Sequence, residues 1–278
     1  MMSNKKVWFI TGASNGLGLA LVKLVLSNGD RVVATTRNTE DLKSKVFGYE
    51  SDFLPLNVNL KDDENVKMAV KQAIDQFGQL DVVVNNAGYV LGGSIEELTD
   101  QEFRATLDVN LFGTVNVIRA AMPYLRAQQS GYIINISSSA GYAGYPNAGS
   151  YSAAKFAIIG ISEALHEEIK PFGVKVTVVA PGEFRTNLWE EGAIAFAKNS
   201  LAAYNSTAVA ETLSELSGKQ KGDPEKLVAI LFDLSRNPNP PLHLLLGPDA
   251  YQLVIDQREK EKDEINTWKE ITLSTNFD

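Results

Sequence analysis

Three times along this chain a segment of helical apolar periodicity stops at a glycine, and an apolar, β-rich run follows at once. Asn28-Gly29 precedes Arg31-Val32-Val33-Ala34-Thr35, Phe77-Gly78 precedes Asp81-Val82-Val83-Val84-Asn85, and Phe172-Gly173 precedes Lys175-Val176-Thr177-Val178-Val179-Ala180. A helix that closes on glycine and hands the chain to a β-branched run is half of a βαβ unit. Its repetition calls for a parallel sheet covered by helices on both faces. Further runs at Val7 to Ile10, Phe53 to Val58, Tyr132 to Ser137 and about His243 to Leu246 bring the strands to seven. The reading is an α/β fold with a doubly wound parallel sheet of order 3-2-1-4-5-6-7. Pro55 supports it, because a proline removes a ladder hydrogen bond and belongs on an edge strand, where this order puts the third strand.

The 278 residues, 44% of them hydrophobic, can build one large core, and no repeat or interdomain linker interrupts them. A single domain spanning 1–278 is expected, with a lid at about 187–222 and a C-terminal extension at about 248–278. The absence of cysteine excludes a disulfide framework, and two histidines, His166 and His243, leave little for a metal site; none is expected. A net charge of −8 argues against a nucleic-acid partner, which needs a basic face. The first residues run straight into a strand without a long apolar stretch, so a cytoplasmic protein with no membrane partner is expected.

The first strand ends in Thr11-Gly12-Ala13-Ser14-Asn15-Gly16-Leu17-Gly18 and a helical pattern follows. Glycines here let the backbone approach a pyrophosphate closely, and a helix N-terminus offers free N–H groups with partial positive charge. The spacing G-x-x-x-G-x-G differs from the common dinucleotide fingerprint. Beyond the second strand, Thr36-Arg37-Asn38 lies where such folds meet the adenosine ribose. No carboxylate stands there to accept from ribose hydroxyls, and Arg37 suits a 2′-phosphate instead, a solvated surface arginine being the alternative. Thr99-Asp100-Gln101-Glu102 is a capping box opening a long helix that carries Asn110 in its interior, either for a polar task or facing solvent.

Tyr151 and Lys155 stand four residues apart at the start of another apolar-periodic segment, so on a helix they project from one face. A unit charge about 4 Å from a phenol, at an effective dielectric of about 20, is worth about 4 kcal/mol. That would bring the phenol to roughly pH 7, where a general acid or base works best. Such a pair also arises by chance, and its weight comes from its surroundings. Ser138, thirteen residues earlier, is delivered at the carboxyl end of the fifth strand, the end at which open α/β sheets bind ligands.

Taken together, Thr11-Gly12 to Gly18, Asn85-Asn86-Ala87-Gly88, Ser138 before Tyr151-x-x-x-Lys155, and Pro181-Gly182 to Thr186 resemble the short-chain dehydrogenase/reductase superfamily, whose fold is of the Rossmann type. The resemblance is close over residues 5 to about 190. It implies an oxidoreductase that moves a hydride between a nicotinamide cofactor and a ketone, aldehyde or alcohol. Tyr151 would transfer the proton, Lys155 would tune it and hold the nicotinamide ribose, Ser138 would bind the substrate oxygen, and Asn110 would hold a relay water. The turn from Gly12 to Gly18, including Ser14, Asn15, Gly16 and Leu17, would take the diphosphate. Asn57 and Val58 would meet the adenine, Asn86, Ala87 and Gly88 the adenosine and ribose, and Pro181, Gly182, Phe184 and Thr186 the nicotinamide carboxamide. Asn57 replaces the family's usual Asp, and Asn15 stands where members using the phosphorylated cofactor often carry a basic residue. Arg37 therefore carries the expectation that NADP(H) is preferred over NAD(H).

The resemblance also implies a homodimer or homotetramer through helices at roughly 101–127 and 151–170, with Ala120, Ala153 and Ala157 allowing close approach. Tyr89, Val90, Leu91, Tyr142, Tyr145, Phe184, Leu188 and Trp189 follow strand ends or fall in the lid, which points to a small-molecule substrate with a hydrophobic body. The competing readings are a 3-oxoacyl-type reductase and a cofactor-binding regulator without turnover.

Overall fold

Seven strands lie parallel in one sheet in the computed structural model, which describes residues 5–186, 194–206 and 218–277. In chain order they are β1 (Val7–Ile10), β2 (Arg31–Thr36), β3 (Phe53–Asn57), β4 (Val82–Asn85), β5 (Gly131–Ile136), β6 (Val174–Pro181) and β7 (His243–Leu246). Their order across the sheet is β3-β2-β1-β4-β5-β6-β7, as the alternation of helix, glycine and strand implied. Pro55 indeed sits on an edge strand, level with Ala34 of β2.

Successive strand residues point to opposite faces, so the core is double. On one face Trp8, Ile10, Val84 and Ile134 pack against Leu21 and Val25 of α1 (Gly16–Ser27) and Leu227 and Leu231 of α7 (Pro224–Leu234). On the other, Phe9, Val83 and Ile133 meet α3 (Asp63–Phe77), α5 (Gly113–Gln128) and α6 (Gly149–Ile169) through Val70, Val117 and Leu165. Each fully buried aliphatic side chain contributes about 1.5–3 kcal/mol. Local signals bound the helices, the first two of them where the sequence placed them. Gly78 adopts φ +80° after α3, the Thr99–Glu102 capping box is complete at the start of α4 (Asp100–Leu107), and Asp223 caps α7 with Pro224 at its first position.

Several features differ from expectation. The helix opened by Thr99 is not continuous: α4 passes through one π-helical turn, Asp108–Phe112, before α5. A short helix α2 (Thr39–Lys45), capped by Asn38, occupies a stretch that carried no helical reading. The charged C-terminal stretch is helical, as α8 (Pro248–Thr267) and α9 (Lys269–Leu273). Ala120 packs into the chain's own core, whereas Phe112 and Phe156 are exposed. Part of the expected lid, residues 187–193 and 207–217 with Leu188 and Trp189, lies outside the described residues. Its described part is anchored, because Ile194–Phe196 pairs in parallel with Val90–Gly92. Among the described residues, no helix is long and apolar enough to cross a membrane.

Candidate active site

The carboxyl ends of β1, β2, β4, β5 and β6 open at one edge of the sheet, and their loops converge there. At β1 the chain turns through Gly12 with φ +67° and Gly16 with φ +52°, the left-handed region that glycine tolerates. A Cβ on Gly12 would come within 2.7 Å of Ala87 Cα, and one on Gly18 within 2.3 Å of the Gly12 carbonyl. The turn is therefore pressed against the loop after β4. Hydrogen bonds lace the two: Thr11 Oγ1 accepts from the Asn86 and Ala87 amides at 3.0 and 3.1 Å, and Asn86 Nδ2 donates to the Thr11 and Gly12 carbonyls at 3.0 and 3.1 Å.

Asn15 is the N-cap of α1, yet its side chain makes no capping bond. The first turn of that helix thus presents its N–H groups without a side-chain cap, which suits a diphosphate. From Gly16 the missing Cβ would point toward Thr186 Cβ at 3.6 Å, so the turn and the segment after β6 face each other. Asp249, in the first turn of α8, accepts from the Glu183 amide at 2.7 Å and lies where a side chain on Gly182 would have to go. It pins the segment from Pro181 onward, a role with no sequence signal because Asp249 lies more than sixty residues away.

At the end of β2, Arg37 is exposed and makes no ion pair among the described residues, while its carbonyl accepts from Asn57 Nδ2 at 3.2 Å. Val58 is buried, with its amide on the Thr36 carbonyl. Thr36 is buried too, its hydroxyl 2.6 Å from Ser14 Oγ. Leu17 packs against the core. Lys45 of α2, ion-paired with Asp41 at 2.8 Å, reaches back to Asn15 Oδ1 at 3.0 Å and the Ser14 carbonyl at 3.2 Å, so it braces the glycine turn from a helix the sequence did not announce.

Ser138 follows β5 with extended backbone, and its Oγ accepts from the Ala140 amide at 3.2 Å. The Tyr151 phenol, in the first turn of α6, lies close enough to the Ser138 side chain for that hydroxyl to lower its pKa. One turn further, Lys155 is 4% exposed, donates from Nζ to the Ile136 carbonyl at 2.8 Å, and lies 5.5 Å from the Tyr151 ring centroid. Asn110 comes from the π-helical turn and is 1% exposed. Its amide accepts from the Tyr89 amide at 3.1 Å and donates to the Tyr89 and Thr106 carbonyls at 3.1 and 3.0 Å. A side chain on Gly88 would strike Asn110 Oδ1 at 2.5 Å and approach Lys155 Nζ to 3.7 Å. Glycine at 88 is thus what lets the loop after β4, Asn110 and Lys155 meet.

The electrostatics correct the sequence reading. Burial pushes the Tyr151 phenol up to about 12, more than the nearby Ser138 hydroxyl lowers it, and burial drops the Lys155 ammonium to about 8. The expected fall toward 7 assumed an ammonium held close to the phenol in a partly watered site. Here the ammonium is committed to a backbone carbonyl, and desolvation governs both groups. The phenol is a fully protonated donor at neutral pH. The apolar set is also smaller than expected: the Tyr142 hydroxyl is bonded to His243 Nδ1 at 2.7 Å and its ring packs in the core, as does that of Phe184, whereas Tyr145 stays at the site with its hydroxyl 3.2 Å from Ser139 Oγ.

The short chain dehydrogenase family model matches residues 6–194. An oxidoreductase, BOA17 of Botryotinia fuckeliana, is 39% identical over 274 residues, 97% of this chain and 99% of that protein. A 3-ketodihydrosphingosine reductase of Bacteroides thetaiotaomicron is 36% identical over 248 residues, 87% and 88% of the two chains. Among solved structures, a short-chain dehydrogenase from Streptomyces avermitilis superposes with a TM-score of 0.91 at 34% identity, covering 99% of this chain and 100% of that one. Two further structures hold a cofactor. One, from Burkholderia phymatum in complex with NAD, has a TM-score of 0.83 at 21% identity over 94% of this chain and 95% of its own; ElxO with NADP bound has 0.72 at 26% over 87% and 96%.

Proposed function

Because the chain belongs to the short-chain dehydrogenase/reductase superfamily and is an oxidoreductase of that kind, we propose that it reduces a ketone or aldehyde with NADPH, or oxidises the corresponding alcohol. The observation that carries this reading is the convergence of the Ser138 hydroxyl, the protonated Tyr151 phenol and the Lys155 ammonium at one carboxyl edge of the sheet. The glycine turn, packed on Ala87 and facing Thr186, the loop through Gly88 and the segment from Pro181 to Thr186 converge at this edge, which supports a nicotinamide dinucleotide lying there. When bound, that cofactor supplies the hydride.

The chain's own residues do the rest. Tyr151 donates its phenolic proton to the carbonyl oxygen, and the Ser138 hydroxyl hydrogen-bonds that oxygen as negative charge develops on it. Lys155 stabilises the transient phenolate, and the proton is then recovered from solvent past Asn110. The raised phenol is protonated at neutral pH and so is ready for the donor role. Arg37, exposed and unpaired among the described residues, supports a preference for the 2′-phosphorylated cofactor. Tyr145, Val90 and the relative that reduces 3-ketodihydrosphingosine favour a ketone with a sizeable apolar body. Assay of free aryl, alicyclic and long-chain ketones beside carrier-linked 3-oxoacyl substrates, followed by NADPH absorbance, tests the proposal. Turnover of a free hydrophobic ketone is expected. Turnover only of carrier-linked substrates would replace it with an acyl-carrier reductase, and NADPH binding without any turnover would make the protein a cofactor-binding regulator.

A further inference from the structure

Glu97 is a carboxylate with no exposed surface and no cationic partner among the described residues. Its oxygens are satisfied by donors from its own loop and from a distant piece of chain. Oε2 accepts from the Ser94 amide at 2.8 Å, within its own loop. Oε1 accepts from the Leu201 amide at 2.8 Å and from Ser206 Oγ at 2.7 Å, and the Glu97 carbonyl accepts from Asn199 Nδ2 at 3.2 Å. Its neighbours act the same way: Glu102 Oε1 accepts from the Lys198 amide at 3.0 Å and Glu96 Oε2 from the Tyr204 hydroxyl at 2.5 Å. A leucine at 97 could fill a core, but it could not accept from an amide and a hydroxyl a hundred residues away. An ionised acceptor makes such bonds about twice as strong as a neutral one.

The same loop is held to the catalytic helix from its other side. The Gly93 amide donates to the Asn147 carbonyl at 2.8 Å, and a side chain on Gly149, two residues before Tyr151, would meet Ile95 at 2.9 Å. Across the loop, the Ala197 amide donates to the Gly92 carbonyl at 2.8 Å, and Phe196 and Ala197 press on Gly92 and Gly93 so closely that neither could carry a Cβ. Residues 90–97 are thus sandwiched between the N-terminus of α6 and the segment 194–206. Glu97 is the polar tie on the outer side.

We infer that Glu97 is a positioning residue: it fixes residues 197–206, in the described part of the expected lid, against residues 90–97 and through them against the start of the helix that carries Tyr151. This rests on the carbonyl reduction proposed above. Glu97→Gln keeps the shape but removes the charge and leaves a buried amide that cannot accept at both oxygens. In the full-length protein, hydrogen–deuterium exchange of amides in 197–206 is expected to rise about tenfold, with β1, α1 and α3 unchanged. KM for a hydrophobic ketone is expected to rise about tenfold while kcat and the NADPH Kd, measured by fluorescence titration, change less than about threefold. Ser206→Ala, which removes one donor from the far side, is expected to move exchange and KM in the same direction by less, and it serves if Glu97→Gln does not fold. Wild-type exchange in 197–206 together with wild-type KM in both variants would overturn the inference. So would exchange that rises evenly across the protein with NADPH affinity lost in step, which is the mark of general destabilisation. If the wild type reduces no carbonyl, the proposed function falls and with it the positioning role, whereas the exchange arm still decides whether Glu97 holds the segment.

Discussion

Replacing Lys155 with methionine should stabilise the protein while abolishing its activity. Met conserves the length and volume of the side chain, so no cavity is created. Burial lowers the Lys155 pKa from 10.5 to about 8, a gap of about 2.5 units, and each unit corresponds to about 1.36 kcal/mol. Holding the ammonium charged at pH 7 therefore costs the folded state about 3 kcal/mol relative to the unfolded chain. Methionine removes that cost but loses the bond from Nζ to the Ile136 carbonyl, worth about 1 kcal/mol, for a net gain of about 2 kcal/mol. In a chain of this size that raises Tm by about 4 °C. The pH dependence has a definite sign. Between about 8 and 10.5 the unfolded state of the wild type binds more protons than the folded state, so wild-type stability rises with pH and the advantage of Lys155→Met shrinks. Urea unfolding of both proteins at pH 7 and pH 10, without added cofactor, measures this. A Lys155→Met protein no more stable than wild type at pH 7, or an advantage that does not shrink by pH 10, would refute the assignment of a desolvated ammonium.

Tyr151→Phe removes only the phenolic hydroxyl, so kcat is expected to fall about 10²–10⁴-fold with the NADPH Kd nearly unchanged; a variant keeping more than about a tenth of wild-type kcat would remove Tyr151 from proton transfer. Arg37→Ala is expected to raise the KM for NADPH about ten- to a hundredfold and leave that for NADH nearly unchanged, by loss of a charge-assisted contact to the 2′-phosphate. Equal kcat/KM for the two cofactors in the wild type would contradict that role. A homodimer or homotetramer is expected in solution, with Phe112 at 50% and Phe156 at 44% exposure in the isolated chain as the apolar surface to be covered; sedimentation showing monomer alone at micromolar concentration would exclude it.

The order of the sheet, the edge position of Pro55, the glycine turn and the capping box at Thr99 were all determined by the sequence. These features depend on periodicity, on left-handed glycines and on side chains that bond the backbone three or four residues away, so they are written locally. What lay outside that range was not legible. The π-helical turn that delivers Asn110 has no compositional mark, because one extra residue in a turn is set by what packs around it. Lys45 on the glycine turn, Asp249 behind Gly182 and Glu97 under residues 197–206 are contacts across roughly 30 to 100 positions, and no spacing rule reaches them. The protonation of the site shows the divide most sharply. The sequence placed Tyr151 and Lys155 on one helical face, where proximity alone predicts an acidic phenol. Tertiary burial reversed the outcome, because desolvation is summed over every element that closes around a group, and at Tyr151 it exceeds what the Ser138 hydroxyl returns, while at Lys155 it acts alone.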